Sequence, residues 1–151
     1  LKTVGRAVTG VGSFSGGERA VRRMLPRGVA GEALRMEDGS GLSRLDRLTA
    51  RAVVALLAEM ARGPLAEAFR ASLPAAGDPE GLERRMRGTP AAGNLRAKTG
   101  TLATVSALSG YVTGADGERL AFAILANGVS SPARAKEVED RIGARLAAFR
   151  R

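Results

Sequence analysis

A chain of 151 residues is one domain's worth of polypeptide, and a globular chain of that size buries about 68–70% of the surface it exposes when unfolded. Aromatic residues make up only 3% and Trp is absent, so Ala, Leu and Val must fill the core; without Cys or His there is no disulfide framework, no thiol chemistry and no Ser-His-Asp triad. The net charge of +9 would suit a polyanion, but the Arg-Arg pairs at 22–23, 84–85 and 150–151 are scattered among acids, so a compositional bias towards Arg accounts for it and no nucleic-acid partner is expected.

Residues 1–4 carry no helix start signal and run into a Gly-rich stretch over 9–17, the pattern of an element's tail; with no Met at position 1, a longer polypeptide is expected to precede Leu1. Ser15 is placed to cap a helix over 17–25, with Ala20, Val21, Met24 and Leu25 on one face and Pro26 ending it. Residues 29–36 predict a short extended segment leading to Glu37-Asp38-Gly39-Ser40-Gly41-Leu42-Ser43-Arg44, whose glycines and serines demand a tight, irregular backbone. No Lys or His stands near Ser40 or Ser43 to activate a hydroxyl, so both take turn roles, and Asp38 caps the same loop.

Thr49 caps the clearest helix, 50–62, in which Val53, Val54, Leu56, Leu57 and Met60 form a wide apolar stripe. Gly63-Pro64 breaks it and opens a second helix over 64–72. A loop over 74–79, one helical turn over 82–86 with Arg84 and Arg85 on a solvated face, and a Pro/Gly connector over 88–93 follow. Residues 95–101, 105–113 and 119–126 predict three strands, the last two joined by Gly114-Ala115-Asp116-Gly117, and Tyr111 belongs to the core. The apolar run 120–126 predicts a strand covered on both faces and is too short to span a bilayer. A helix over 133–150 carries Val138, Ile142, Leu146 and Phe149 at spacings of three and four.

The first strand holds Arg96-Ala97-Lys98-Thr99-Gly100-Thr101-Leu102, a cation, hydroxyls and a glycine where a small anionic ligand can meet backbone. Only Lys2, Lys98 and Lys136 are lysines among 24 cations, which suggests that a compact ammonium is required at 98. The K-T-G triplet is one of three motifs of penicillin-binding proteins and serine β-lactamases, the others being S-x-x-K and S-D-N.

Asp38-Gly39-Ser40-Gly41-Leu42-Ser43-Arg44, then Ala97 to Leu102 running on to Ser109-Gly110-Tyr111-Val112, with Gly117, Leu120-Ala121-Phe122 and Asn127-Gly128, closely resemble the C-terminal part of the class C penicillin-binding proteins. This is the S13 D-alanyl-D-alanine carboxypeptidase/endopeptidase family, and the likeness covers about residues 31–149. It implies an α/β fold of the penicillin-binding protein and β-lactamase type, an antiparallel sheet covered by helices, of which the chain is the C-terminal portion. It also implies that Lys98 lies in the cleft beside the S-x-N serine and that Thr99 and Thr101 help bind the peptide's terminal carboxylate. Gly100 leaves room for ligand, the Thr101 N–H donates to an oxyanion, and Leu102 and Ala103 lie near the peptide side chain. The implied partners are peptidoglycan peptides ending in D-Ala-D-Ala, β-lactam antibiotics and the remainder of the same polypeptide; no cofactor is implied, and the location is outside the cytoplasmic membrane. No serine here has Lys three residues on, and neither Asn94 nor Asn127 has Ser two residues before it, so the nucleophile, its lysine and S-x-N are expected upstream. A β-lactamase or esterase of the same fold, or a non-catalytic basic module binding nucleic acid or cell-wall polymer, are the alternative readings.

Overall fold

The computed structural model describes residues 1–26, 29, 34–80, 82 and 84–151, and the chain divides into two compact units, Leu1–Leu56 and Leu57–Arg151. Parts of the expected extended segment over 29–36 and helical turn over 82–86 lie outside the described residues.

In the first unit, helix α1 (Lys2–Thr9) packs on helix α2 (Phe14–Met24). The opening, which carries no helix start signal, is therefore helical. No side chain caps it, and Gly10 ends it at φ 75°, with its N–H donating to the Arg6 carbonyl. Its stability comes from packing that a cap search cannot see: a Cβ on Gly5 would lie 2.8 Å from both Gly17 N and the Ser13 carbonyl oxygen, so glycine lets the two helices touch. Ser13, not Ser15, caps α2, because Ser13 holds the extended backbone a cap needs (φ −112°, ψ 156°) and its hydroxyl accepts from Gly16 N at 3.0 Å.

Strands β1 (Leu34–Arg35) and β2 (Arg47–Leu48), too short to leave a sequence pattern, pair antiparallel and close the loop between them. There Asp38 accepts from the Ser40 N–H at 2.8 Å, and Ser43 Oγ accepts from the Leu45 N–H at 3.2 Å, which are the turn roles expected. Thr49 Oγ1 accepts from Ala52 N at 3.1 Å and opens helix α3 (Ala50–Met60), within which the two units divide.

The second unit holds the end of α3, helix α4 (Ala66–Ser72), a sheet of β3 (Arg96–Leu102), β4 (Val105–Thr113) and β5 (Arg119–Asn127), and helix α5 (Pro132–Ala147). The sheet is antiparallel in the order β3-β4-β5. Along β4 the even-numbered residues are buried and the odd ones half-buried, the alternation of a strand with one face on a core. Leu108 and Val112 on that face join Leu95, Ala97 and Ala147 in the core, and α5 packs there. The Asp116-Gly117 turn joins β4 to β5 as expected, with Gly117 at φ 85° and the Gly114 N–H donating to the Glu118 carbonyl at 2.8 Å. Among the described residues no helix is long and apolar enough to cross a membrane.

Three expectations fail here for one reason: burial depends on neighbours distant in sequence, which neither an apolar run nor a charge pair reveals. Strand β5 is a sheet edge of half-buried residues in which only Phe122 is buried, not a strand covered on both faces. Helix α5 is turned so that Glu139, Gly143 and Ala147 are buried, while Val138 and Ile142, of the expected stripe, are exposed. Gly143 lets the helix approach closely on that face, since a Cβ there would lie 2.8 Å from Met86 Sδ and 2.9 Å from Leu95 Cδ1. Arg85 is likewise not solvated but ion-paired to Glu139 and Asp140, whereas Arg84 is exposed.

Gly110 sets the spacing of β3 and β4. A Cβ there would run into the Arg96 carbonyl oxygen and lie 2.6 Å from Ala97 Cα, which is backbone and cannot step aside. Relieving a strand glycine is worth about 0.5–1 kcal/mol, but forcing a methyl into packed structure costs about 1–3 kcal/mol. Gly110→Ala should therefore destabilise by about 1–2 kcal/mol, read as a lower urea midpoint; an unchanged midpoint would show that the strands can part freely.

Candidate active site

Strand β3 carries every residue singled out for ligand contact except Ala103, which sits in the two-residue turn after it. Its hydrogen-bonding phase follows from two fixed points. At one end the Ala97 N–H donates at 3.0 Å to the carbonyl of Pro74, on the side away from β4, and the Leu95 carbonyl accepts from Ala76 N at 2.8 Å on that same side. At the other end Leu102 pairs with Val105 across the turn Ala103-Thr104. Residues along an antiparallel strand alternate between bonding the partner strand and pointing away from it. Ala97, Thr99 and Thr101 therefore direct N–H and C=O away from β4, while Lys98, Gly100 and Leu102 bond it.

Among the described residues, no backbone hydrogen bond from outside the sheet reaches β3 beyond Ala97. The N–H groups of Thr99 and Thr101 thus lie along an open strand edge. The side-chain faces divide by the same parity. Lys98, Gly100 and Leu102 share the face of their partners Ser109, Ala107 and Val105; Thr99 and Thr101 share that of Leu108 and Ser106. Lys98 is exposed, and its ammonium donates at 2.9 Å to the outward Thr99 carbonyl, which draws the charge to the open edge. Thr101, Gly100 and Ala103 are exposed, and Thr99 and Leu102 half-buried. One cation and two backbone donors that are unpaired among the described residues lie along one edge, an arrangement able to hold an oxyanion or a carboxylate.

The D-Ala-D-Ala carboxypeptidase 3 (S13) family model matches residues 1–149. The chain belongs to this family. It is 45% identical over 155 residues to the D-alanyl-D-alanine carboxypeptidase of Actinomadura sp. (strain R39), a match that takes in 99% of this chain and 28% of that protein. It is 32% identical over 122 residues to D-alanyl-D-alanine carboxypeptidase DacB of Haemophilus influenzae, covering 79% of this chain and 26% of the relative. In structure it is similar to penicillin binding protein 4 (dacB) from Haemophilus influenzae, with a TM-score of 0.86 and 26% identity over 97% of this chain and 35% of that one. A second structure of that protein, complexed with a novel β-lactam, gives a TM-score of 0.82 at 25% identity over 98% of this chain and 37% of that one. The likeness bears out the mixed α/β class with an antiparallel sheet and helices, and the chain spans little more than a quarter of the curated relatives it matches.

Two features of this S13 chain escaped the sequence. The first is a buried polar cluster beneath the hairpin, in which Ser106 Oγ donates to Glu139 Oε1 at 2.7 Å and Arg85 Nη2 donates to Glu139 Oε2 at 2.8 Å. Its signal was present: Glu139 stands in one helical column with Gly143 and Ala147, and that column, not the apolar one, is buried. The second is Tyr111, on the Lys98 face, which is half-buried instead of wholly in the core. Its hydroxyl donates to the Leu57 carbonyl at 2.7 Å, and its ring meets Phe69 edge-on at 6.4 Å. The bond ties the sheet to the end of α3 while the ring packs on α4.

Burial holds the Tyr111 phenol above its ordinary value near 10. The fold thus favours the neutral phenol, and its stabilisation is fully present below pH 10 and lost as pH rises through the raised value. Tyr111→Phe should cost about 0.5–1.5 kcal/mol at neutral pH, and the gap to the parent should close above pH 10; urea unfolding across that range checks both, and a gap that widens with pH would refute the assignment.

Proposed function

We propose that the protein containing this chain is a serine-type D-alanyl-D-alanine carboxypeptidase that acts through an acyl-enzyme and is acylated by penicillins. The observation that carries the reading is the open edge of β3, with outward N–H groups at Thr99 and Thr101 and the Lys98 ammonium beside them, in a chain of the S13 family. On this reading the chain is the C-terminal portion of the catalytic domain, and the nucleophilic serine, its lysine and S-x-N precede it.

The chemistry assigns each residue a task. The upstream serine attacks the carbonyl of the penultimate D-Ala, and the carbonyl oxygen gains negative charge. The Thr101 N–H donates to that oxygen, and donors of this kind are worth about 2.7–4 kcal/mol each in acyl transfer. Collapse breaks the C–N bond, terminal D-Ala leaves with a proton on its amine, and water later hydrolyses the ester. When the leaving amine belongs to another stem peptide, the same steps cut a cross-link. The Lys98 ammonium exchanges its Thr99 carbonyl for the terminal carboxylate and the S-x-N serine, with the hydroxyls of Thr99 and Thr101 as further donors. A charge pair 4 Å apart is worth about 1 kcal/mol in bulk water and about 4 kcal/mol at an effective dielectric near 20, so bound peptide that excludes water strengthens the contact. The peptide backbone adds to the edge as a further strand, with Leu102 and Ala103 at its side chain and Gly100 leaving that approach clear. Peptidoglycan is the substrate, which locates the enzyme outside the cytoplasmic membrane.

Lys98→Ala tests the assignment in the complete enzyme. Acylation by a fluorescent penicillin should slow about 100-fold, equivalent to about 2.7 kcal/mol, while stability moves by less than about 0.5 kcal/mol because the side chain is exposed. Acylation at the parent rate would rule out the site.

A further inference from the structure

We propose that Ser106, held by Glu139 and Arg85, is a positioning residue that fixes the direction of the Thr101 N–H; the inference rests on the acyl-transfer reading above. Ser106 is the cross-strand partner of Thr101, and their side chains share the core face of the sheet. By the strand's parity the two residues do not bond each other's backbone. Thr101 is therefore held to β4 only through its neighbours, the pairs Gly100 with Ala107 and Leu102 with Val105. At a hairpin end with an open outer edge, such a strand can twist, and a twist turns the donor away from the oxyanion.

The cluster behind it opposes that twist. Ser106 and Glu139 are each 1% exposed, and the serine hydroxyl donates to Glu139 Oε1 at 2.7 Å. The second carboxylate oxygen accepts from Arg85 Nη2 at 2.8 Å, and Arg85 Nε donates to Asp140 Oδ1 at 2.7 Å, so the guanidinium grips two successive residues of α5. The hairpin tip is tied separately, by the Val129 N–H to the Thr104 carbonyl at 3.0 Å. The two ties lie on either side of Val105, and together they fix the strand that Thr101 leans on.

The composition of the cluster argues that position is its purpose. A buried ion pair is often no more stabilising than apolar residues of the same volume, and this one leaves Arg85 Nη1 buried with no partner among the described residues. Leu108 and Val112 on the same face show that β4 fills its core with apolar groups elsewhere. Among the described residues of β4's core face, the polar, directional anchor stands at the rung paired with the proposed oxyanion donor.

The test uses the complete enzyme and a fluorescent penicillin, separating the limiting acylation rate from the dissociation constant that precedes it. Ser106→Ala should lower the limiting rate about tenfold with less than twofold change in that constant, because the lost contact acts on the transition state alone. Asn94→Ala serves as the control of purely structural origin: Asn94 bonds both backbone groups of Thr113 at the far end of β4, and its loss should lower the thermal midpoint but leave acylation within twofold. Parent-like acylation by Ser106→Ala, or equal slowing by both variants, overturns the proposal. If Ser106→Ala does not fold, Ser106→Cys, which keeps the volume and donates far more weakly, is held to the same outcomes. A parent enzyme that penicillin does not label would instead remove the acyl-transfer reading itself, and this inference with it.

Discussion

The bond from the Ala97 N–H to the Pro74 carbonyl sets the phase of β3, and most of what the chain can do follows from it. A strand has no freedom to choose which of its amides face outward once one of them is fixed, because the alternation has a period of two. With Ala97 outward, Thr99 and Thr101 are outward, and the segment over 74–76 that pins the strand stops where the open edge begins. Shifting the pairing by one residue would give the edge to Lys98 and Gly100 and turn the Thr101 donor into the sheet. Gly110 guards the register from the other side, since only a residue without Cβ fits against Arg96 and Ala97.

The legible parts of the fold were those with a strong local pattern. Strand β4 was bounded correctly by its alternation, β3 and β5 to within a residue, and the Asp116-Gly117 turn by its chemistry. Thr49 was legible as a cap because nothing nearby competes with it. In contrast, Ser13 and Ser15 are both good caps two residues apart, and the choice between them depends on backbone angles fixed by the packing of α1 on α2. Helix α1 was invisible because its support is a glycine contact with another helix. In the site, the residue types of Lys98 to Thr101 were legible as a motif, but which of their amides face outward was not, because that depends on a contact with residues more than twenty positions earlier.

Helix α5 shows how a hydrophobic stripe misleads. Counting apolar residues at spacings of three and four selects Val138, Ile142 and Leu146, yet the sheet receives Glu139, Gly143 and Ala147. The second set is smaller, and a helix that presents small side chains packs closer to its sheet, which suits a core poor in aromatics. The close contact of Gly143 with Met86 and Leu95 is that economy of space in practice. A carboxylate enters the same column because Arg85 and Ser106 supply the donors that make its burial tolerable.

Lysine and arginine divide the work of this chain along the same physical line. Arg85 is a planar fork, and it spans Glu139 and Asp140 from a single side chain, a task for which an ammonium lacks the geometry. On the proposed function the demand at Lys98 is opposite. A compact charge on a flexible stem can rest on the Thr99 carbonyl at 2.9 Å in the free protein and transfer to an incoming anion with little rearrangement. A guanidinium there would hold several acceptors at once and release them less readily. In a sequence where 21 of 24 cations are arginine, the proposed site has lysine where a bond would be exchanged, while the half-buried Arg85 stands where bonds are kept.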